Sequence, residues 1–161
     1  MEHCKVYQSH VLFPEDRRLI IEGPVPPEQL SELTMHPDLK AFRRPAEQHE
    51  ALVEIAGLPE GRIIITRDQD MIVGYVTFHH PDEQERWSEG NMEDLIELGA
   101  IEVAKDYRSL GLGQQMIKTA FEEEQMERYI VFTTEYYWHW DLKGSGLNVW
   151  DYRKMMERLM K

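Results

Sequence analysis

The sequence predicts an α/β fold of the α+β kind, a mixed and mostly antiparallel sheet carrying one parallel β-α-β unit. Three stretches predict it. Arg62 to Arg67 and Met71 to Phe78 are β-branched runs joined by the polar turn Asp68-Gln69-Asp70, the pattern of an antiparallel hairpin. Glu97 to Val103 reads as a buried strand that runs into a glycine-bearing loop, after which Leu112, Met116, Ile117, Ala120 and Phe121 recur at helical spacing. Tyr129 to Thr134 then reads as a strand, and a strand, helix, strand run of this length is a parallel crossover unit. With 161 residues and 42% hydrophobic content the chain can bury a core, and a single domain over residues 1–161 is expected.

The remaining elements follow in order. Cys4 to Leu12 and Arg18 to Glu22 read as two strands that pair as a hairpin across Pro14-Glu15-Asp16. Pro26 or Pro27 starts a short helix carrying Leu30 and Leu33, which His36-Pro37 ends. Ala46 to Ala56 places Leu52, Val53, Ile55 and Ala56 on a helical stripe with Gly57 as its C-terminal cap. His79 to Asp94 is charged, contains Pro81 and Gly90, and reads as a long loop, either functional or a surface insertion anchored by Trp87. The helix of the crossover unit is expected to reach about Arg128. Beyond the next strand lie the aromatic cluster Tyr136 to Trp140, the flexible Lys143 to Gly146, and a last helix capped by Asn148, with Val149, Tyr152, Met156, Leu159 and Met160 near one face.

Composition narrows the function. A formal charge of −12 disfavours nucleic acid as a partner, because phosphate backbones attract basic surfaces. It attracts basic substrates, or simply keeps the protein soluble. No run of about eighteen apolar residues is present, and Met-Glu-His-Cys-Lys lacks the pattern of a signal peptide. No membrane partner and a cytoplasmic location are therefore expected. Cys4 is the single cysteine, so no internal disulfide can form. His79, His80 and His139 have no cysteine or carboxylate at metal-ligand spacing, so no metal is assigned, and Ser88 and Ser109 fit no catalytic triad.

The stretch from Glu97 to Gln114 carries the chemistry. A helix N-terminus leaves amides without intrahelical partners and gathers the positive end of the peptide dipoles. Gly111 and Gly113 lack a Cβ and let an anion approach those amides, and Arg108 with Lys105 adds charge. Arg108 to Gly113 therefore reads as a pyrophosphate cradle.

Arg108-Ser109-Leu110-Gly111-Leu112-Gly113 fits the Arg/Gln-x-x-Gly-x-Gly/Ala signature of the GNAT superfamily of acetyl-CoA-dependent acetyltransferases, set between strand and helix as in that family. The hairpin from Arg62 to Phe78, with Gly74-Tyr75-Val76 in its second strand, resembles the family's strands before the signature. The segments 51–62, 85–103 and 136–143 are similar to the acetoin utilization acetyltransferases of Bacillus-like bacteria. That resemblance implies a GNAT fold and a protein lysine N-acetyltransferase that modifies and switches off acetyl-CoA synthetase, with acetyl-CoA as co-substrate. Members of that family continue past the last helix with further strands, so the resemblance also implies a sheet whose C-terminal strands are missing from a chain ending at Lys161.

The resemblance distributes roles along the stretch. Arg108, Ser109, Leu110, Gly111, Leu112, Gly113 and Gln114 would bind the pyrophosphate. The main-chain groups of Ile101 and Val103 would hold the acetyl carbonyl and the pantetheine arm, since in this family the strand before the signature splays from its neighbour. Glu97, eleven residues before Arg108, matches the spacing of the catalytic glutamate of histone-acetylating members. Glu102 is the second candidate base, because a glutamate within an apolar run would have its pKa raised by burial. Alternating strand parity puts these two glutamates on different sides of the sheet. Tyr152 is the nearest counterpart of the family's general acid, with Tyr136 and Tyr137 as rivals, or it is a core residue. Tyr136 to Trp140 could line a channel for a lysine stem or pack beside the sheet. Acetylation of a small basic metabolite, and a non-catalytic acetyl-CoA-sensing module or homo-oligomer covering exposed helix surface, are the alternatives.

Overall fold

The computed structural model describes residues 1–161. A seven-stranded mixed sheet runs in the order β1-β2-β4-β5-β6-β7, with β3 beside β5. The strands are β1 Gln8–Leu12, β2 Leu19–Gly23, β3 Thr34–Met35, β4 Arg62–Asp68, β5 Met71–His79, β6 Leu95–Val103 and β7 Ile130–Phe132. The helices are α1 Pro27–Glu32, α2 Pro45–Gly57, α3 Leu112–Phe121, α4 Leu142–Ser145 and α5 Val149–Leu159. Both expected hairpins are antiparallel pairs, β1 with β2 and β4 with β5. The only parallel contacts are β3 with β5 and the crossover pair β6 with β7. No helix is long and apolar enough to cross a membrane.

Burial along β4 explains why helices lie on both faces. Ile63, Ile64 and Ile65 are all fully buried although their side chains alternate, so neither face of the sheet meets water there. α3 covers the face on which Gly74 and Phe78 lie: a Cβ on Gly74 would stand 3.3 Å from the Met116 methyl, and Phe78 meets Phe121 edge to face at 6.0 Å. The loop between β3 and α2 reaches the opposite face, where Tyr75 points.

Several expected elements are shorter than their sequence patterns, and one buried cation bears on two of them, α3 and β1. The Arg62 guanidinium is fully buried. Its Nε donates to Glu123 (3.2 Å), its Nη1 to the Glu60 carbonyl (2.9 Å) and the Tyr129 hydroxyl (3.3 Å), and its Nη2 to the Cys4 carbonyl (2.5 Å). To supply that carboxylate, α3 ends at Phe121 and Glu123 turns inward in an extended conformation, followed by a 3-10 segment Glu124–Arg128. The helix therefore does not reach Arg128. β1 begins at Gln8 rather than Cys4, because residues 4–7 are held instead by contacts such as Val6 N–H to Glu123 (3.0 Å) and Lys5 Nζ to the Leu58 carbonyl (2.6 Å). β7 is likewise only Ile130–Phe132, which leaves Thr133 and Thr134 outside the ladder.

Arg62→Met is expected to destabilise the protein by about 3–5 kcal/mol, because it strands Glu123 as an uncompensated buried charge. Chemical denaturation measures it. The double variant Arg62→Met with Glu123→Leu should recover much of the loss.

Candidate active site

β6 changes partners along its length, and only Glu97 has a strand on both sides. Toward β5 its partners run from Gly74 opposite Val103 to His79 opposite Glu97. Toward β7 they stop after Leu95, Ile96 and Glu97, which face Ile130, Val131 and Phe132. From Leu98 onward the outer edge of β6 has no strand beside it. The Ala104 amide donates to the Val73 carbonyl (2.8 Å) and the Ala100 amide to Thr77 Oγ1 (3.0 Å), so these residues turn their main chain toward β5. Strand alternation then directs the main-chain groups of Ile101 and Val103 to the open edge. The Val103 carbonyl is met there by Arg108 Nε at 3.1 Å.

A bulge interrupts the β5–β6 ladder at Gly99. Thr77 faces Ala100 and Phe78 faces Leu98, which leaves Gly99 without a partner. The extra residue reverses parity beyond it. Glu97 opposite His79 and Glu102 opposite Tyr75 consequently share one face of the sheet, since β5 carries no extra residue between Tyr75 and His79, which lie at the same parity. The expectation that the two glutamates face different sides is therefore corrected. Glycine is required at the bulge by crowding, because a Cβ there would stand 2.8 Å from His79 Nε2 and 3.3 Å from Thr77 Oγ1.

The two carboxylates are dressed differently. Glu97 is half-buried, and its Oε1 accepts from the Thr134 hydroxyl at 2.9 Å while Oε2 has no protein donor. Glu102 is 6% exposed, with Oε1 accepting from the Ala41 amide (2.8 Å) and Oε2 from the Tyr75 hydroxyl (2.6 Å). Burial, and then the Glu102 charge, push the Tyr75 phenol far above its ordinary range, so it remains a proton donor.

The loop leading into α3 is built to face an anion. Ser109 (φ +64°) and Gly111 (φ +74°) are both left-handed, and such turns fan successive amides toward one point. The amides of Ser109, Leu110, Gly111, Leu112, Gly113 and Gln114 make no hydrogen bond within the protein. A Cβ placed on Gly111 would find nothing within 4 Å, so the space beside it is open. A Cβ on Gly113 would lie 3.5 Å from the Ile101 side chain, which sets the helix N-terminus directly over the open edge of β6. Arg108 is already engaged: besides the Val103 carbonyl it pairs with Asp141 at 2.5 Å. Its guanidinium, followed by the Gly144 amide, holds the Asp141 carboxyl below its usual range. Lys105 donates its main-chain amide to Asp38 (2.6 Å).

The C-terminal third closes around this loop. Leu159 of α5 lies 3.5 Å from the Gly113 Cβ position, and Asn148 caps α5 by accepting from the Asp151 amide at 2.9 Å. Tyr152 is half-buried and stacks on Trp140 at 5.1 Å, and burial raises its phenol. Tyr136 and Trp138 stack at 4.6 Å and remain largely exposed, while His139 meets Phe42 edge to face at 5.3 Å. Trp87 of the 80–94 loop lies 5.4 Å from Phe132 and is 52% exposed.

Half-open central strand, bulge and anion-facing helix N-terminus together suit a thioester bound through its phosphates, with its acyl group on the strand edge. Residues 28–138 match the acetyltransferase (GNAT) family. The chain belongs to the GNAT acetyltransferase family. It is an N-acetyltransferase, and enzymes of this family use acetyl-CoA as co-substrate. The chain is 63% identical over 160 residues to the acetoin utilization protein AcuA of Bacillus subtilis and 58% identical to that of Bacillus licheniformis, covering 99% of this chain and 76% of each relative. The crystal structure of an acetoin utilization protein from Exiguobacterium sibiricum superposes with a TM-score of 0.94 at 54% identity, covering 97% of this chain and 74% of that one.

Sequence reasoning missed four residues that the fold brings to the GNAT site: Gly99, Thr134, Tyr75 and Asp141. Gly99 carried a usable signal, since a glycine inside an apolar strand marks a bulge. The other three are contacts across the fold, with no local pattern to reveal them.

Gly99→Val should cost about 1–3 kcal/mol, as overpacking does, because His79 must move to admit the new side chain. Thermal or chemical unfolding reads it.

Proposed function

We propose that the protein transfers acetyl from acetyl-CoA to the ε-amine of a lysine on a protein, and that the acceptor is acetyl-CoA synthetase, which the modification switches off. One observation carries the transfer: the unpartnered amides of the α3 N-terminus stand over the open edge of β6, while a carboxylate with a free oxygen sits where β6 and β7 part. The similarity to acetoin utilization proteins supports this acceptor, with a role in acetoin and acetate use as part of the proposal.

The residues present fit the co-substrate. The Ser109 to Gln114 amides would hold the pyrophosphate, with Arg108 joining once a phosphate competes with Asp141 for its guanidinium. The main-chain groups of Ile101 and the amide of Val103, whose carbonyl is taken by Arg108, would line the acetyl and pantetheine arm, and a main-chain amide aimed at the carbonyl stabilises the charge that develops there. Acetyl-CoA supplies an activated acyl group; the protein supplies position and proton handling.

Glu97 is the proposed base. Its unpartnered Oε2 can accept the proton from the lysine ammonium, directly or through a water, and the Thr134 hydroxyl holds Oε1 so that the carboxylate presents that oxygen. Both Glu102 oxygens are already taken by donors of the protein.

Incubation with acetyl-CoA synthetase and acetyl-CoA, followed by mass spectrometry, tests the reaction: an added acetyl on a lysine is expected. Acetyl-CoA binding with no lysine acetylated would overturn the transfer, and activity confined to polyamines would replace the protein acceptor with a small basic metabolite. Glu97→Gln is expected to lower turnover by about 10²- to 10⁴-fold while acetyl-CoA affinity stays within about twofold, as for loss of a positioned base. Gly111→Val, which puts a branched side chain into the open space at a left-handed residue, is expected to abolish acetyl-CoA binding in titration calorimetry while the circular dichroism spectrum is retained.

A further inference from the structure

We infer that Glu102 is a positioning residue that ties the loop between β3 and α2 to the central strand, and so sets the acceptor-side wall of the site. This rests on the acetyltransferase reading of the site.

The loop, residues 36–44, has no helix or strand of its own. It begins at β5, where the His36 amide donates to the Ile72 carbonyl (2.9 Å), and then crosses to β6. Two carboxylates hold it there. Asp38, from the loop, accepts from the Lys105 amide just past the end of β6 (2.6 Å), and Glu102, from β6, accepts from the Ala41 amide in the loop (2.8 Å).

The Glu102 contact is the buried one. Its second oxygen is fixed by the Tyr75 hydroxyl at 2.6 Å, and Tyr75 is itself fully buried on β5, opposite Glu102 in the ladder. A carboxylate with both oxygens satisfied cannot swing away from the loop without stranding the buried Tyr75 hydroxyl and releasing the Ala41 amide. Next to Ala41, Phe42 meets His139 at 5.3 Å. His139 lies on the segment that continues from β7, the strand that has parted from β6. The loop therefore spans the gap from β6 to the far side of the opening, on the same face as Glu97. An acceptor amine approaching Glu97 passes this bridge. Its height over the sheet is set by Glu102.

A tether and a base make different demands on residue 102. Glutamine can still accept from the Ala41 amide but cannot take a proton from an amine; alanine can do neither. Under the tether, Glu102→Ala raises the acceptor KM and lowers acceptor kcat/KM by on the order of 10²-fold, the scale of about a 1 Å misplacement, while the acetyl-CoA Kd stays within about twofold of wild type, an allowance taken from binding that involves no contact with this loop. Glu102→Gln restores most of that loss, and Tyr75→Phe shifts the acceptor KM in the same direction by a smaller factor. If Glu102→Gln is as inactive as Glu102→Ala with the acceptor KM unchanged, Glu102 is a base and the tether is overturned. Amide hydrogen exchange provides a readout that needs no turnover: the Ala41 amide should exchange faster in Glu102→Ala and return toward wild-type protection in Glu102→Gln. Unchanged exchange at Ala41 overturns the tether even if catalysis changes. Wild-type protein that acetylates no lysine, with Ala41 exchange still responding to Glu102→Ala, would instead sink the proposed reaction and leave the tether standing.

Discussion

The architecture turns on the incomplete pairing of one strand. β6 is held to β5 through every residue from Glu97 to Val103 except the bulged Gly99, yet on its other edge it meets β7 for only three residues. A strand buried in a sheet normally spends both edges on neighbours, because an unpaired amide or carbonyl shielded from water is costly. Here the unspent edge lies beneath the N-terminus of α3, whose first-turn amides are also without protein partners. Two sets of donors left over by regular structure converge on one opening. The stability of the frame comes from the opposite side of β6, where β2, β4 and β5 are covered on both faces, so the opening is cut into a rigid edge rather than a loose one.

A loop proposed to bind an anion in a chain of charge −12 is reconciled by its construction. Most of its attraction comes from oriented peptide groups, which the long-range field of surface carboxylates weakens little across about 8–10 Å of screening at ordinary ionic strength. The one guanidinium at the loop, Arg108, is neutralised by Asp141 and fixed on the Val103 carbonyl. That pairing links the segment before α4 to the open edge of β6, so the C-terminal third of the chain and the anion loop share a contact. Ser109 adds local strain to this loop: like Glu15, Asp16, Gln69 and Asn91 elsewhere, it is a non-glycine residue in the left-handed region, which costs of order 1–3 kcal/mol.

Buried charge does the long-range wiring. Arg62 joins the N-terminal segment, the end of α3 and the start of β7; Glu22 gathers Tyr7, Gln29 and Arg67; Glu102 gathers Tyr75 and the 36–44 loop. Each of these groups is satisfied by several donors or acceptors. Thr66 Oγ1 is the one buried side-chain polar atom without a partner. Apolar contacts can slide by a rotamer, whereas a buried ion must keep its partners, so these clusters set register between segments that the hydrophobic core alone would hold less specifically.

The sequence by itself determined the order and type of most elements, because hydrophobic period, turn chemistry and caps are properties of neighbouring residues; the two-residue β3 escaped it, and Leu142–Ser145, within a stretch expected to be flexible, forms the short helix α4. The two hairpins, the parallel crossover from β6 through α3 to β7, the Asn148 cap and the glycine-bearing loop at the start of α3 were all legible in this way. What escaped it depends on residues far apart. The end of α3 at Phe121 answers to Arg62 across the sheet, and no helical pattern around Glu123 announces that. The shared face of Glu97 and Glu102 follows from one unpaired residue in a ladder with β5, which strand parity counted along the chain gets wrong. Which carboxylate keeps a free oxygen was decided by Thr134, Tyr75 and the Ala41 amide, all supplied by other elements. Local periodicity is written between neighbours, but burial, register and hydrogen-bond satisfaction are settled only when distant segments meet, and the candidate site is made almost entirely of such meetings.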